Sequence, residues 1–253
     1  MNDVPISPLL AVSRHMVHAE PSPKRVRAEF GGAVVVDSLK PLLVLETKHL
    51  PVYYFPFADI RTDFLVESPH RSLCPYKGEA RYWHLQVGNR REENAVWAYM
   101  DPINNAAALE KHAAFYWEKI DRWLEEDEEV IRHPRDPYHR VDVVRSSRTI
   151  EATLGSTVLA RSNSAMFLFE TGMPVRYYLP KADIRMDFLV DSATRSQCPY
   201  KGTARYWSAA IDGKTWQDVA WSYEDPLPEC PRIKGLISFY SEKLERFTIE
   251  PSG

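Results

Sequence analysis

The sequence has little cysteine. Only three cysteines occur in 253 residues, and no two of them form a Cys-x-x-Cys pair. A structural zinc site usually needs about four Cys or His ligands, often arranged in such pairs, and an odd cysteine count does not suggest a disulfide framework. We therefore predict that the protein has no metal site and no cofactor, and that it works in a reducing, cytoplasmic compartment.

The chain also lacks a basic excess and a long apolar segment. Its formal net charge is −3, whereas nucleic-acid surfaces usually carry clustered Lys and Arg. No apolar run reaches the roughly 18 residues that a membrane-spanning helix needs. We therefore expect neither nucleic acid nor a membrane as a partner. Residues 1–24 contain four prolines and no basic start, so we predict a flexible N-terminal arm rather than a signal peptide.

The most informative feature that is present is an internal repeat. Residues 58–83 return as residues 182–207 at a constant offset of 124, and 20 of these 26 aligned pairs are identical. A chain of this length accommodates two modest domains. We predict a first repeat over residues 25–126, a Pro-rich bridge over residues 127–147 and a second repeat over residues 148–250.

Each repeat begins with short β-branched runs broken by glycine and small polar residues, a pattern typical of β-hairpins. The end of each repeat instead shows apolar residues spaced as in a helix, over residues 106–126 and 233–246. We therefore predict a mainly β fold. It consists of two tandem homologous domains, each a small curved β-sheet or open barrel with a C-terminal helix.

Several motifs occur in the same order in both copies: Cys-Pro-Tyr-Lys-Gly, then Ala-Arg-Tyr-Trp, then Trp-x-Tyr-x-Asp-Pro. With these motifs the chain resembles the DUF427 family, a domain of unknown function that also carries a nucleotidyltransferase-like label. The first copy departs from the family pattern at Tyr53, where the arginine seen as Arg176 is missing. The resemblance implies a compact β fold related to the Mss4-like or β-tent group, and it implies no established activity. No glycine-rich phosphate loop or pair of metal-binding aspartates accompanies the nucleotidyltransferase label.

The repeated Cys-Pro-Tyr-Lys-Gly motif supplies the candidate catalytic residues. A lysine three residues after a cysteine can stabilise a thiolate. The candidate nucleophiles and their lysines are Cys74 with Lys77, and Cys198 with Lys201. The alternative is that each cysteine is a packed residue at the start of a tight turn.

The candidate ligand-binding residues are the aromatic and charged side chains that recur in both copies. Side chains two apart on a strand point the same way, so Trp97 and Tyr99 share a face that either Tyr82 or Trp83 joins. The full set is Arg61, Asp63, Tyr82, Trp83, Trp97 and Tyr99, with Arg185, Asp187, Tyr206, Trp207, Trp221 and Tyr223. Such rings suit a cation or a flat ligand. The alternatives are that the rings fill the core and that the charges form structural ion pairs.

All eight histidines lie between His15 and His139. With the repeat bounds given above, the second repeat contains none, which excludes a histidine-based triad present in both copies. The bridge, by contrast, concentrates ionisable residues. Its candidate inter-domain site residues are His133, Arg135, Asp136, His139, Arg140 and Asp142. They suit one acid–base or anion site where the halves meet, or simply an ordered linker.

Together these patterns favour a binding module, in which each repeat offers an aromatic and arginine pocket to a small molecule or a modified side chain. One alternative is a cysteine-dependent or acid–base enzyme that acts on a small metabolite. The other is a protein-interaction scaffold, whose mark would be a broad exposed apolar patch. The pattern carries no indication of the oligomeric state.

Overall fold

The computed structural model describes residues 15–251, and the chain divides into two compact units. The division falls between Tyr138 and His139. We call residues 15–138 unit 1 and residues 139–251 unit 2, and describe each by itself.

Unit 1 is built from eleven strands. They are β1 (Val17–Pro21), β2 (Val26–Phe30), β3 (Ala33–Ser38), β4 (Leu42–Glu46), β5 (Val52–Pro56), β6 (Leu65–Cys74), β7 (Gly78–Val87), β8 (Arg90–Tyr99), β9 (His112–Phe115), β10 (Arg122–Glu125) and β11 (Glu128–Glu129). Four short 3₁₀ turns connect them: Phe57–Asp59, Thr62–Phe64, Asn104–Leu109 and Trp117–Lys119.

The strands of unit 1 form two antiparallel sheets. A seven-stranded sheet has the order β1-β4-β5-β9-β8-β7-β6, and a four-stranded sheet has the order β11-β10-β2-β3. The seven-stranded sheet carries apolar side chains on both faces, because successive residues of a strand point to opposite sides. Leu43 and Phe55 join the core with the smaller sheet, whereas Val44 and Tyr54 belong to a second cluster with Leu109.

Unit 2 is built from ten strands. They are β12 (Val141–Arg145), β13 (Thr149–Leu154), β14 (Thr157–Ser162), β15 (Met166–Glu170), β16 (Arg176–Leu179), β17 (Leu189–Cys198), β18 (Gly202–Ile211), β19 (Lys214–Ser222), β20 (Ile237–Phe239) and β21 (Arg246–Glu250). The 3₁₀ turns are Lys181–Asp183, Met186–Phe188, Pro231–Ile233 and Ser241–Lys243.

The sheets of unit 2 repeat those of unit 1. The seven-stranded sheet has the order β12-β15-β16-β20-β19-β18-β17, and a three-stranded sheet has the order β14-β13-β21. Strands β12 to β21 follow the order of β1 to β10 in both sheets, and all strand pairs are antiparallel. The prediction of a mainly β fold in two similar parts is therefore confirmed. Neither unit contains a closed barrel within the described residues.

The predicted C-terminal helices are wrong. Within residues 15–251 no helical segment is longer than the 3₁₀ segment Asn104–Leu109, and this one is interrupted by a kink at Ala106. Residues 106–126 instead hold β9, a 3₁₀ turn and β10, and residues 233–246 hold β20, a 3₁₀ turn and the start of β21. Alternating short strands and turns also bring an apolar residue inward every three or four positions. The aromatic run Phe115-Tyr116-Trp117 favours strand over helix.

The first strand of each unit lies before the predicted start of its repeat. Strand β1 pairs with β4, so Val17–Pro21 is part of the large sheet although the sequence placed it in the arm. Strand β12 pairs with β15 in the same way, although the sequence placed it in the bridge. Residues 1–14 of the predicted arm lie outside the described residues.

The Cys-Pro-Tyr-Lys-Gly motif forms the tight connection between β6 and β7, and the same motif connects β17 and β18. Cys74 pairs with Gly78 across the hairpin. Gly78 has a φ of 102°, and a Cβ there would lie 3.1 Å from the Asp101 carbonyl oxygen. Glycine is therefore required at this position. The turn fixes Lys77 one residue before the glycine, where its carbonyl accepts a hydrogen bond from the Ile103 amide.

No helix in the part of the chain that the structure describes has the length and apolar character to cross a membrane.

Candidate functional site

The repeated aromatic residues separate onto the two faces of each large sheet. In unit 1, Tyr82, Trp97 and Tyr99 belong to the cluster away from the small sheet. Trp83 packs on the opposite face, where its ring lies 5.7 Å from that of Phe57. In unit 2, Trp207 likewise packs in the inter-sheet core. The structure therefore does not bring Trp83 and Trp207 to the candidate site.

The remaining rings form an equivalent cluster in each unit. Trp97 Nε1 donates a hydrogen bond to Tyr54 Oη at 3.0 Å, and its ring lies 4.5 Å from that of Tyr116 at an interplanar angle of 42°. In unit 2, Trp221 Nε1 donates to Tyr178 Oη at 3.1 Å. The ring of Trp221 lies 4.3 Å from that of Tyr240 at 39°.

The second tyrosine of this set is also held in the same way in both units. The hydroxyls of Tyr82 and Ser72 are hydrogen-bonded at 2.7 Å, as are those of Tyr206 and Ser196. Tyr99 and Tyr223 are buried in these clusters, and burial raises the pKa of both phenols. Burial, and after it the neighbouring Tyr82, raise the pKa of Tyr116 to about 12. The hydroxyls of Tyr99, Tyr116 and Tyr223 therefore stay protonated at neutral pH.

In unit 1 these rings line a cavity of about 510 Å³, which we call the aromatic pocket. This volume lies within the range of ligand sites. Its aromatic and charged lining includes Tyr54, Tyr82, Trp97, Tyr99, Tyr116, Glu46, Lys48, Lys77, Glu118 and Arg132. The pocket therefore combines several rings with both signs of charge.

A buried ion centre lies beside the rings in each unit. In unit 1, Lys77 Nζ donates to Glu46 Oε2, and His15 Nε2 lies 3.0 Å from Glu46 Oε1. In unit 2, Lys201 Nζ donates to Glu170 Oε2, and His139 Nε2 lies 3.1 Å from Glu170 Oε1. We call these two groups of three residues the buried ion centres.

The environment of each ion centre keeps its carboxylate charged. Burial alone would raise the pKa of Glu46, but the hydrogen bond and charge of Lys77, with the His15 contact, outweigh it and lower the pKa. Burial likewise opposes His139 and Lys201 at Glu170, and the net pKa is again lowered. Tyr76 stacks on His15 with ring centroids 3.6 Å apart, and Tyr200 stacks on His139 at 4.1 Å.

Sequence reasoning missed these centres because the predicted repeats start at residues 25 and 148, after both histidines. His15 and His139 are separated by the same offset of 124 as the other repeated residues. His139 lies in unit 2 just before β12. The statement that the second copy contains no histidine, and the exclusion drawn from it, are therefore corrected. Extending the offset test upstream of residue 25 would have paired the two histidines.

In unit 2 an arginine covers the aromatic cluster. The Arg176 Cζ lies 5.4 Å from the ring centroids of both Trp221 and Tyr240. Its two terminal nitrogens donate to the two carboxylate oxygens of Glu242, each at 2.9 Å. The Arg176 side chain is 16% exposed. The hydrogen bond from Arg176 is the main cause that lowers the pKa of Glu242 to about 2.

Unit 1 has the same acid but not the arginine. Val52 pairs with Val44, in the register in which Arg176 pairs with Leu168, so valine stands in the place of Arg176. Glu118 follows Trp117 in the 3₁₀ turn that corresponds to Ser241–Lys243. Among the described residues, Glu118 has no hydrogen-bond or ion-pair partner, and it lines the aromatic pocket. Trp97 is half-buried, whereas Trp221 is only 5% exposed.

The structure places the candidate catalytic cysteines beside the clusters but pairs their lysines elsewhere. Cys74 and Cys198 are half-buried and pack against the aromatic clusters. The ammonium groups of Lys77 and Lys201 bind Glu46 and Glu170 instead of a thiol. The third cysteine, Cys230, is fully buried, and burial raises its pKa to about 11.

The candidate charged residues form exposed pairs outside the pocket lining. Arg61 donates two hydrogen bonds to Asp63, at 2.9 and 2.6 Å, and both side chains are more than half exposed. Arg185 and Asp187 repeat this pair at 3.0 and 2.7 Å. Arg61 also lies over the ring of Phe64, and Arg185 lies over the ring of Phe188. Their geometry is that of surface ion pairs.

The six candidate residues of the bridge are divided between the units. His133, Arg135 and Asp136 belong to unit 1, where His133 is buried and lines the aromatic pocket. The Asp136 carboxylate accepts a hydrogen bond from the Tyr138 amide at 2.8 Å. In unit 2, His139 belongs to the buried ion centre.

The last two bridge residues form a local pair at the start of β12. The Arg140 guanidinium donates to the Asp142 carboxylate at 2.9 Å, and both side chains are exposed. No group of three or more His, Cys, Asp or Glu side chains in residues 15–251 is arranged to hold a metal ion.

The fold and the site define a duplicated antiparallel β protein, in which each unit places a Trp–Tyr cluster beside a buried His–Glu–Lys centre. A family model described as "Domain of unknown function (DUF427)" matches residues 18–126 and 142–250. The chain therefore belongs to the DUF427 family, in two tandem copies. Comparison with curated proteins gives no match.

Proposed function

We propose that the protein is a small-molecule binding module whose working site is the aromatic pocket of unit 1. The observation that carries this proposal is the convergence of Tyr82, Trp97, Tyr99 and Tyr116 on one cavity of about 510 Å³. Ligand sites of this size typically combine an aromatic lining with a few polar groups. We also propose that the fold is related to the Mss4-like or β-tent group, as the family resemblance implies.

The arginine part of the predicted pocket receives less support. Arg61 and Arg185 pair with neighbouring aspartates on the surface. The arginine that does meet the rings is Arg176, and it is present in unit 2 alone. We therefore propose ligand binding in unit 1, with unit 2 supplying its own side chain at the equivalent place.

The thiol-dependent enzyme also receives less support, because Lys77 and Lys201 neutralise glutamates. An ammonium that is hydrogen-bonded to a buried carboxylate stabilises a thiolate less than an unpaired ammonium does.

A ligand screen followed by NMR tests the proposal. The indole N–H signal of Trp97 in a ¹H–¹⁵N NMR spectrum reports on the pocket, and that of Trp83 reports on the opposite face. We expect a library of small molecules of mixed charge to contain compounds that shift the Trp97 signal saturably and leave Trp83 unchanged. Val52→Arg, which introduces the side chain of unit 2, removes this response. The proposal fails if no compound shifts Trp97, or if the same compounds shift Trp97 equally in the variant.

A further inference from the structure

We propose that the aromatic pocket of unit 1 binds the cationic end of a ligand, a guanidinium or alkylammonium group, at the corner formed by Trp97, Tyr116 and Glu118. We call these three residues the cation corner. The inference rests on the proposed function and names the ligand class. Unit 2 shows the arrangement with a guanidinium in place, because Arg176 occupies the equivalent corner.

The aromatic part of the corner is the same in both units. The Trp97 and Tyr116 rings are 4.5 Å apart at 42°, and the Trp221 and Tyr240 rings are 4.3 Å apart at 39°. Cations bind over ring faces within about 6 Å of the centroid, and Trp is the best of the aromatic side chains. Since Arg176 meets this condition in unit 2, the matched rings of unit 1 offer the same surface.

The acid of the corner is also the same, but its partner differs. Glu242 receives two N–H groups of Arg176, a bidentate contact that matches a guanidinium to a carboxylate. Glu118 has no such partner among the residues that the structure describes. A ligand with a guanidinium or ammonium group would complete the contact that Arg176 makes in unit 2.

The residue that differs leaves space at the corner. Val52 stands where Arg176 stands in the strand register, and a valine neither reaches over the rings nor carries charge. Trp97 is accordingly more exposed than Trp221. Val52 itself lines the pocket.

The other cations near the corner do not replace Arg176. Lys119 lies 5.2 Å from the Tyr116 ring, but its equivalent Lys243 lies 4.8 Å from Tyr240 in unit 2, where Arg176 is also present. Both lysines donate to backbone carbonyls. Lys48 and Arg132 also line the pocket, so the cation is assigned to the corner and not to the pocket as a whole.

Butylguanidinium and its uncharged analogue butylurea distinguish charge from shape. The protein is titrated with each compound while the indole N–H signals of Trp97 and Trp221 are followed by NMR. We expect butylguanidinium to shift the Trp97 signal saturably and to leave the Trp221 signal in place. Butylurea should bind at least about tenfold more weakly than butylguanidinium. Equal affinity for the two compounds would overturn the inference.

Two variants test the corner itself. Glu118→Gln keeps the shape and removes the charge, and we expect it to weaken butylguanidinium binding about tenfold while butylurea is unaffected. Arg176→Val opens the corner of unit 2, so the Trp221 signal should begin to respond and the stoichiometry should rise from one to two. Arg176→Val/Glu242→Gln is the matched control, in which Trp221 should again respond weakly.

The outcomes separate this inference from the proposed function. If neutral or anionic compounds of the library shift Trp97 and butylguanidinium does not, the pocket binds ligands but the cation corner is wrong. If no compound shifts Trp97, both proposals fail. Should Arg176→Val prevent unit 2 from folding, as a thermal melt would reveal, Glu118→Gln still decides the matter, and unchanged butylguanidinium affinity there contradicts the inference.

Discussion

The two units carry the same Trp–Tyr–Glu corner, and they differ in what covers it. In unit 2, Arg176 lies over both rings and binds Glu242 with two hydrogen bonds. In unit 1, Val52 leaves the rings half-open and Glu118 without a partner among the described residues. The buried ion centres, in contrast, are the same in both units. The comparison therefore assigns the shared buried ion centres to the stability of the fold, and the corner left open in unit 1 to ligand binding.

The largest expected effect comes from the shared buried ion centres. Glu46→Ala leaves the Lys77 ammonium buried without its carboxylate, and Glu170→Ala does the same to Lys201. Because an uncompensated buried charge is costly, we expect each change to lower the free energy of unfolding of its own unit by about 3 kcal/mol. Urea unfolding followed through the indole signals of each unit measures this loss.

A matched double variant controls for the ion centre. Replacing both partners by apolar residues, as in Glu46→Leu/Lys77→Met, removes the stranded charge and should recover much of the loss. If Glu46→Ala changes stability in unit 1 by less than about 0.5 kcal/mol, the centre is not buried as described. A loss in one unit only would break the equivalence of the two centres.

The next effect tests what Arg176 contributes to unit 2. At pH 7 we expect Arg176→Val to lower the stability of unit 2 by about 1 kcal/mol, because the pair with Glu242 is partly exposed and screened by solvent. The folded-state pKa of Glu242, about 2, lies below its ordinary value of 4.5. The contribution is therefore complete above about pH 4.5 and is lost as the pH falls toward 2.

This pH dependence is checked by urea unfolding of Arg176→Val and the unmodified protein between pH 2 and 7. The difference in unfolding free energy should shrink on acidification through that window. Glu118→Gln is the control, because Glu118 has no described partner to lose, and its stability should match the unmodified protein throughout. A constant difference across the pH range would mean that Arg176 acts by packing alone.

Val52→Arg tests the equivalence of the two corners by adding the missing arginine to unit 1. If the corners are equivalent, the new guanidinium should lie over Trp97 and Tyr116 and pair with Glu118. We expect unit 1 to gain stability, by up to about 1 kcal/mol, from the cation–π and charge-assisted contacts. A thermal melt measures the gain. Clear destabilisation would show that the pocket of unit 1 is shaped differently from the filled corner of unit 2.

The smallest effect is expected at the surface pairs. Arg61→Ala and Arg185→Ala each remove an exposed ion pair that water and salt already screen. Neither change should move the unfolding midpoint of its unit measurably, and neither should alter the response of Trp97 to butylguanidinium. A loss of the Trp97 response in Arg61→Ala alone would show that Arg61 contributes to the binding site.

The sequence predicted what depends on local pattern and internal repetition. The offset of 124 identified two β-rich copies, and strand alternation indicated that only one of Tyr82 and Trp83 joins Trp97. The predicted helices failed because apolar spacing over residues 106–126 is shared by a helix and by short strands separated by turns.

Other features depend on contacts distant in sequence. His15 and Lys77 each lie 31 residues from Glu46 in the sequence. The three meet only because β1 pairs with β4 and the β6–β7 turn directs the lysine toward Glu46. No local pattern indicates such a meeting. The sequence showed that the first copy lacks the arginine seen as Arg176, but it placed the missing residue at Tyr53. The strand register identifies Val52 as the counterpart instead. Its meaning required the position of Arg176 over the rings.

The most direct test of the account is a crystal structure of the protein soaked with butylguanidinium. The account predicts a planar group over Trp97 and Tyr116, with two N–H groups directed at the Glu118 carboxylate, and Arg176 unmoved over Trp221. A cavity without the compound at saturating concentration, or a guanidinium bound away from Glu118, would contradict it.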